Sequence, residues 1–193
     1  MRYWFTADYH LGHANIIKYC KRPFLKEGDL DNKGQWVSKE IANKRVDQMN
    51  NTIIRNHNER VKPGDVVFHI GDFCFKNTIN GKPGEGVPIT AIEWEKKLNG
   101  KIIFLKGNHD KNNSNKTIIE GMVIRYGGYQ LYLTHKPEHH NNKYKINLVG
   151  HVHEKWSVRA VPASTLINVG VDQWNFYPVS FEEVMTKYQR RNK

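Results

Sequence analysis

The sequence predicts a layered α/β domain, and three observations lead there. Short apolar runs rich in β-branched and aromatic residues recur and read as strands, and one long polar stretch carries a single apolar stripe and reads as a helix. Strands alternate with helical stretches early in the chain and follow one another later. In order, residues 2–7 form the first strand. Residues 35–58 form the long helix, because Ile41, Val46, Met49, Ile53 and Ile54 share one of its faces. A strand at 66–70 is followed by a short helix over 91–98, which Asn99-Gly100 stops, and by a strand at 101–105. Strands at 123–124, 129–134, 146–149 and 165–169 then succeed one another, the earlier of them hairpin-like.

With 193 residues and no linker or internal repeat, the chain is expected to form one domain over 1–193. Its apolar fraction is only 38%, but 5 Trp, 9 Tyr and 8 Phe supply enough buried surface for a packed core, which excludes a disordered chain. Lys and Arg total 30 against 19 Asp and Glu, a net charge of +11. That balance suits polyanions such as nucleotides, nucleic acid or an anionic surface; a solvated Lys surface is the plainer alternative. Cys20 and Cys74 form neither a CxxC pair nor a disulfide framework, which fits a reducing compartment. No leader pattern is visible and no apolar run approaches the ~20 residues a membrane span needs. A cytoplasmic location is expected. The 77–88 segment is turn-rich and read as a surface loop, since its glycines match no phosphate-binding pattern. Residues 112–116 read as another polar loop and 189–193 as a fraying basic tail.

The chemistry lies where Asp, Asn and His residues meet the strand ends. Asp8 and His10 follow the first strand, Gly71-Asp72 the second, and Gly107-Asn108-His109-Asp110 the third. His135 follows 129–134, and Gly150-His151-Val152-His153 follows 146–149. Ligand sites gather at strand ends in open α/β sheets. Spaced i, i+2, the pairs Asp8/His10 and His151/His153 would each point to one side if their backbone were extended. Carboxylate, imidazole and amide oxygen together suit Mn²⁺, Fe²⁺, Zn²⁺ or Ni²⁺. Each element alone has a bland reading: a single His as a hydrogen-bonded core residue, Asp72 as a turn residue, Asn108 as a cap. The ordered set, with every member at a strand end, is what points to a site.

That set resembles the calcineurin-like metallophosphoesterase family, with all five blocks present in order. The run from Asp8 to Ile17 and the Arg22-Pro23-Phe24 segment is similar to the small bacterial and phage members, described as predicted phosphoesterases. The resemblance implies a four-layer α/β/β/α sandwich of two mixed sheets flanked by helices. It also implies two divalent ions, Mn²⁺ first, with Fe²⁺, Ni²⁺, Zn²⁺ and Mg²⁺ as alternatives. One ion would be held by Asp8, His10, Asp72 and His153, the other by Asp72, Asn108, His135 and His151, with Asp72 bridging. His109 would be the acid facing the leaving group, oriented by Asp110. One departure stands out: the second block continues Phe73-Cys74-Phe75-Lys76, without the family's further polar residue and Arg. Lys76 would then have to substitute for a phosphate-clamping Arg, less directionally.

Outside this set, His13 and Lys106 join Lys76 as candidate substrate contacts, each with simple packing or a solvated surface as its alternative. Asn50 is expected to hydrogen-bond locally, His69 to pack beneath Asp72, and Cys74 to fill the core. His139 and His140 are read as surface residues of a loop overhanging the site, and Trp174 as a residue rimming it.

The function expected is hydrolysis of a phosphomonoester or phosphodiester by a bridging hydroxide, with a nucleotide, cyclic nucleotide or nucleic-acid end as substrate. A non-catalytic nucleic-acid- or protein-binding module that uses metal as scaffold is the alternative; it predicts loss of the catalytic His, and His109 is present. A repair nuclease normally needs further domains that 193 residues cannot hold. The sequence leaves oligomeric state open.

Overall fold

In the computed structural model, which describes residues 1–75, 88–110 and 117–191, two mixed sheets pack face to face. The first is built on β1 (Tyr3–Thr6), β2 (Val66–Ile70) and β3 (Lys101–Leu105), all parallel, with Tyr3 opposite Val66 and Val66 opposite Lys101. A two-residue strand, β9 (Val179–Ser180), closes its other edge antiparallel to β1. The second sheet comprises β4 (Gly121–Tyr126), β5 (Tyr129–Thr134), β6 (Ile146–Val149), β7 (Val158–Val161) and β8 (Ser164–Asn168), in the order β4-β5-β6-β8-β7. Here β5, β6 and β8 run parallel, while β4 and β7 are antiparallel edges.

Side chains alternate across each sheet, so each strand serves two layers. Phe5, Phe68, Ile70 and Leu105 from the first sheet meet Leu131, Leu133, Leu148 and Ile167 from the second, forming the core between them. On the far side of the first sheet, helices α1 (Asn15–Tyr19), α2 (Lys39–Arg60) and α3 (Ala91–Glu95) bury Ile17, Val46, Met49, Ile53 and Trp94 against Leu11 and Phe73. The C-terminal helix α4 (Phe181–Arg191) sends Phe181, Val184 and Met185 into the core between the sheets. On the opposite face of the second sheet from Ile146 and Leu148, Asn147 holds the segment before it through Asn141 and Tyr144.

The α/β class, with two mixed sheets and flanking helices, is the one expected. The boundaries shift for physical reasons. The Ser38 hydroxyl accepts the Ile41 N–H, so α2 begins after it and not at residue 35. Helix α3 is shorter than 91–98 because its last turn tightens into i→i−3 bonds, Lys97 to Trp94 and Leu98 to Glu95. Three short elements, α1, β7 and β9, went unread, as did α4, although Phe181, Val184, Met185 and Tyr188 form a helical stripe. The tail expected to fray is helical as far as Arg191. The loop over 77–88, save its last residue, the 112–116 loop, Lys76 and the last two residues lie outside the described residues.

Parallel direction brings the ends of β1, β2 and β3 to one edge, and those of β5, β6 and β8 likewise to one edge. An isolated parallel bridge from Ala7 to Gly170 joins the two edges.

Candidate metal centre

The residues that follow these strand ends do not continue as strand. Nine non-glycine residues among those described have positive φ, and five are predicted ligands: Asp8 (58°), His10 (50°), Asp72 (56°), His151 (71°) and His153 (45°). Each such conformation costs about 1–3 kcal/mol and persists only where its surroundings impose it. The surroundings are explicit. Asp8 N–H donates to the Gly71 carbonyl at 3.0 Å, His10 N–H to the Asp72 carbonyl at 3.0 Å, and His151 N–H to both Asp8 carboxylate oxygens at 3.1 and 2.9 Å. The backbone at the i, i+2 pairs is therefore left-handed, not the extended form expected from their spacing. Asp8 and His10 meet through left-handed backbone, and His151 and His153 point to different clusters.

Those clusters are Asp8, His10 and His153 on one side and Asp72, His135 and His151 on the other; within each, the candidate ligand atoms lie within 4.8 Å of one another. Asn108 joins the second, with Oδ1 3.0 Å from His135 Nε2. Asp72 stands between them, its Oδ2 3.6 Å from His10 Nε2 and 3.3 Å from His135 Nε2. Its Oδ1 accepts the His109 main-chain N–H at 2.9 Å. Close approach explains the glycines. A Cβ on Gly71, whose φ is +87°, would fall 2.5 Å from His135 Nδ1, and one on Gly107 would collide with Asp72 Oδ1.

A divalent cation fits these residues. Both ring nitrogens of His10 are buried without a hydrogen-bond partner, a costly arrangement unless a ligand accepts a lone pair. His135 Nδ1 faces the Ile70 carbonyl at 2.9 Å, which sets the neutral tautomer with Nδ1–H donating. Its Nε2 lone pair then faces the oxygens of Asn108 and Asp72, and such converging acceptors are reconciled by a cation or a proton. The set of imidazole, carboxylate and amide oxygen suits borderline-to-hard divalent ions.

The electrostatics tell the same story. Burial, reinforced by the neighbouring Asp72 and Asp172, pushes the Asp8 carboxyl up to about 6 against the pull of His153 and His135. Burial opposes a charged His135 ring, but its hydrogen bond to Asp72 and the charges of Asp8 and Asp72 outweigh this and raise it to about 9. Burial likewise opposes charge on His153; the hydrogen bonds to Asp172 and to the Cys20 thiol prevail and raise it to about 10. His10 is held well below its ordinary value by burial and by the nearby His13 and His153.

The other candidates divide. The His109 ring lies 5.4 Å from His10 and 6.3 Å from His13, at the first cluster. The Asp110 carboxylate accepts the main-chain N–H groups of Asp72 (2.9 Å), Phe73 (3.1 Å) and Gly107 (2.7 Å), bracing the backbone of two blocks. His13 is buried and stacks on Phe75 at 4.2 Å, so it packs beside His10 more than it faces solvent. Phe73 is core, which accounts for the apolar second block. Lys106 pairs with Glu120 at 3.2 Å and, with Lys136 and His139, lines a cleft of about 180 Å³ that opens beside Asn108 and His135. His139 is exposed, as expected of a surface residue, and borders that cleft. Asn50 accepts the Gly12 N–H at 3.0 Å, and His69 is buried among Tyr9, Phe73 and Phe104. Trp174, expected to rim the site, packs against the core between the sheets; its Nε1 donates to the Asn168 carbonyl and Lys187 covers its ring.

Two residues escaped the sequence reading. Asp172 Oδ2 lies 2.9 Å from His153 Nδ1, and Arg22 grips the same carboxylate while donating to the Asp8 carbonyl at 2.7 Å. The signal for Asp172 was available, since it follows β8 as the other acidic residues follow their strands.

Comparison with known proteins adds a frame. The sequence model of the family described as calcineurin-like phosphoesterase matches residues 1–182. The chain is 31% identical over 192 residues to the uncharacterized protein MJ1445 of Methanocaldococcus jannaschii, which covers 94% of this chain and 88% of that one. Among solved structures, AQ665 of Aquifex aeolicus, titled a protein of unknown function, shares the fold with a TM-score of 0.61 at 20% identity, covering 96% of this chain and 98% of that one. Vps29 of Entamoeba histolytica, complexed with Zn²⁺, gives 0.42 at 16% identity, covering 88% and 74%.

Proposed function

The chain belongs to the calcineurin-like phosphoesterase family, and we propose that it is a metal-dependent phosphoester hydrolase with a two-cation site. Asp8, His10, Asp72 and His153 would hold one ion, and Asp72, Asn108, His135 and His151 the other, with Mn²⁺ the ion of choice. The observation that carries this reading is the position of Asp72, whose Oδ2 faces a ring nitrogen of each cluster at 3.6 and 3.3 Å. When bound, such a pair of ions screens phosphoryl charge and lowers the pKa of water enough for attack at neutral pH.

The remaining tasks fall to the chain's own side chains. His109, beside the first cluster, is suited to deliver a proton to the leaving oxygen. His13, stacked on Phe75 next to it, supports that ring wall. The cleft lined by Lys106, Lys136 and His139 adjoins the second cluster and suits the anionic remainder of a substrate. Together with the +11 charge, this favours a nucleotide, a cyclic nucleotide or a nucleic-acid end. We take residues 1–193 as one domain acting in the cytoplasm, a location supported by two buried free thiols. Among the described residues, no helix is long and apolar enough to cross a membrane.

The test is hydrolysis of bis-p-nitrophenyl phosphate and p-nitrophenyl phosphate by the Mn²⁺-loaded chain. Metal-dependent release of nitrophenolate is expected, the ratio of the two rates giving diester or monoester preference. A chain that takes up metal yet turns over neither ester with any divalent ion would instead be a metal-scaffolded binding module.

A further inference from the structure

We propose that Arg22 and Asp172 are positioning residues for one metal position only, that of Asp8, His10 and His153, and make it the tighter of the two. The inference rests on the two-cation reading above. A single guanidinium reaches both sides of that position. Its Nε and Nη2 donate to the Asp172 carboxylate at 2.8 and 2.9 Å, and Nη2 also donates to the Asp8 main-chain oxygen at 2.7 Å. Nη1 donates to the Tyr9 main-chain oxygen at 3.1 Å. Asp172 Oδ2 accepts from His153 Nδ1 at 2.9 Å. The backbone of the carboxylate ligand and the ring of the imidazole ligand are therefore tied to one planar fork, which a lysine cannot reproduce.

The second cluster is supported differently. His135 Nδ1 donates to a neutral carbonyl, that of Ile70, at 2.9 Å. An imidazole whose Nδ1–H is held by a carboxylate is the more basic donor at Nε2, and partners of this kind typically contribute about 10- to 100-fold to metal affinity. Both members of the ion pair are almost wholly buried, with side chains 0% and 3% exposed. Two charges withdrawn from water this completely are stable only as a pair, so neither is a solvated surface group by accident. The Asp8 position then fills first, and the Asp72–Asn108–His135–His151 position fills second and exchanges more readily.

The test is calorimetric titration of the metal-free full chain with Mn²⁺, which needs no turnover. The wild type should show two steps. Asp172→Asn and Arg22→Lys should weaken the tighter step by about 10- to 100-fold and leave the other unchanged, while His135→Ala does the reverse. Far-ultraviolet circular dichroism establishes that the variants are folded. Should either fail to fold, ¹⁵N-histidine NMR of the wild type decides the matter: with Zn²⁺, the His153 Nε2 resonance should shift during the first equivalent and that of His135 during the second. Folded variants with both steps at wild-type affinity, or His135 shifting ahead of His153, would overturn the proposal. A wild type that binds no ion at all would overturn the two-cation reading, and this proposal with it.

Discussion

The carboxylate of Asp110 accepts the main-chain N–H of Asp72 at 2.9 Å, so the residue standing between the two clusters is held by the third sequence block as well as by its own strand. Asp110 also accepts from Phe73 and Gly107. Asp110→Asn exchanges one accepting oxygen for a donor and leaves at least one of these N–H groups buried and unpaired. Denaturant unfolding of the metal-free protein should show a loss of about 1–3 kcal/mol. An unchanged midpoint would mean that these bonds do not brace the backbone.

Gly107 leaves room for Asp72, and a methyl group there would collide with Oδ1. Gly107→Ala should displace that carboxylate and lower metal uptake. Gly64→Ala is the control, since a Cβ there meets nothing within 4 Å. Metal analysis of the two purified variants separates them; equal metal content would remove the close-approach argument.

His109 is expected to matter in proportion to the leaving group's need for a proton. His109→Ala should lower kcat on an alkyl phosphoester by about 10²–10⁴-fold. For nitrophenyl esters, whose leaving group departs as a stable anion, the loss should be much smaller, and metal content should not change. Equal losses on both ester classes would point to a role other than acid.

Metal binding should release protons. With folded-state values of about 9 and 10, His135 and His153 carry protons at pH 7, yet each must be neutral at the ring nitrogen that faces a cation. Titrations in buffers of different ionisation enthalpy should report about two protons released per chain, and affinity should rise with pH towards 10. The sign for the metal-free fold is opposite. Both values are raised above the unfolded 6.5, so their stabilisation is complete below that pH and is lost as pH climbs through about 9 to 10. Heat released independently of the buffer would contradict this.

The candidate ligands stood out in the sequence because they follow runs that read as strands, as Asp72 follows Val66–Ile70 and His135 follows Tyr129–Thr134. What escaped was conformation and distance. Nothing in Asp8-Tyr9-His10 announces left-handed backbone, because that shape is imposed by hydrogen bonds to the Gly71 and Asp72 carbonyls and from the His151 N–H, far along the chain. Asp172 follows β8 as the other acidic residues follow their strands, but its pairing with Arg22, 150 residues away, is set only once Ala7 and Gly170 are paired. Asp110 shows a further limit: its place beside His109 gave no sign that its carboxylate accepts three main-chain N–H groups, two of them from the second block.

The central claim, two ions sharing Asp72, is tested most directly by following turnover of bis-p-nitrophenyl phosphate as Mn²⁺ is added in known equivalents to the metal-free chain. Turnover should stay low through the first equivalent, rise through the second and then level off, and Asp72→Asn should show no such rise. Full activity at one equivalent, or an Asp72→Asn variant that matches the wild type, would contradict the shared-carboxylate site.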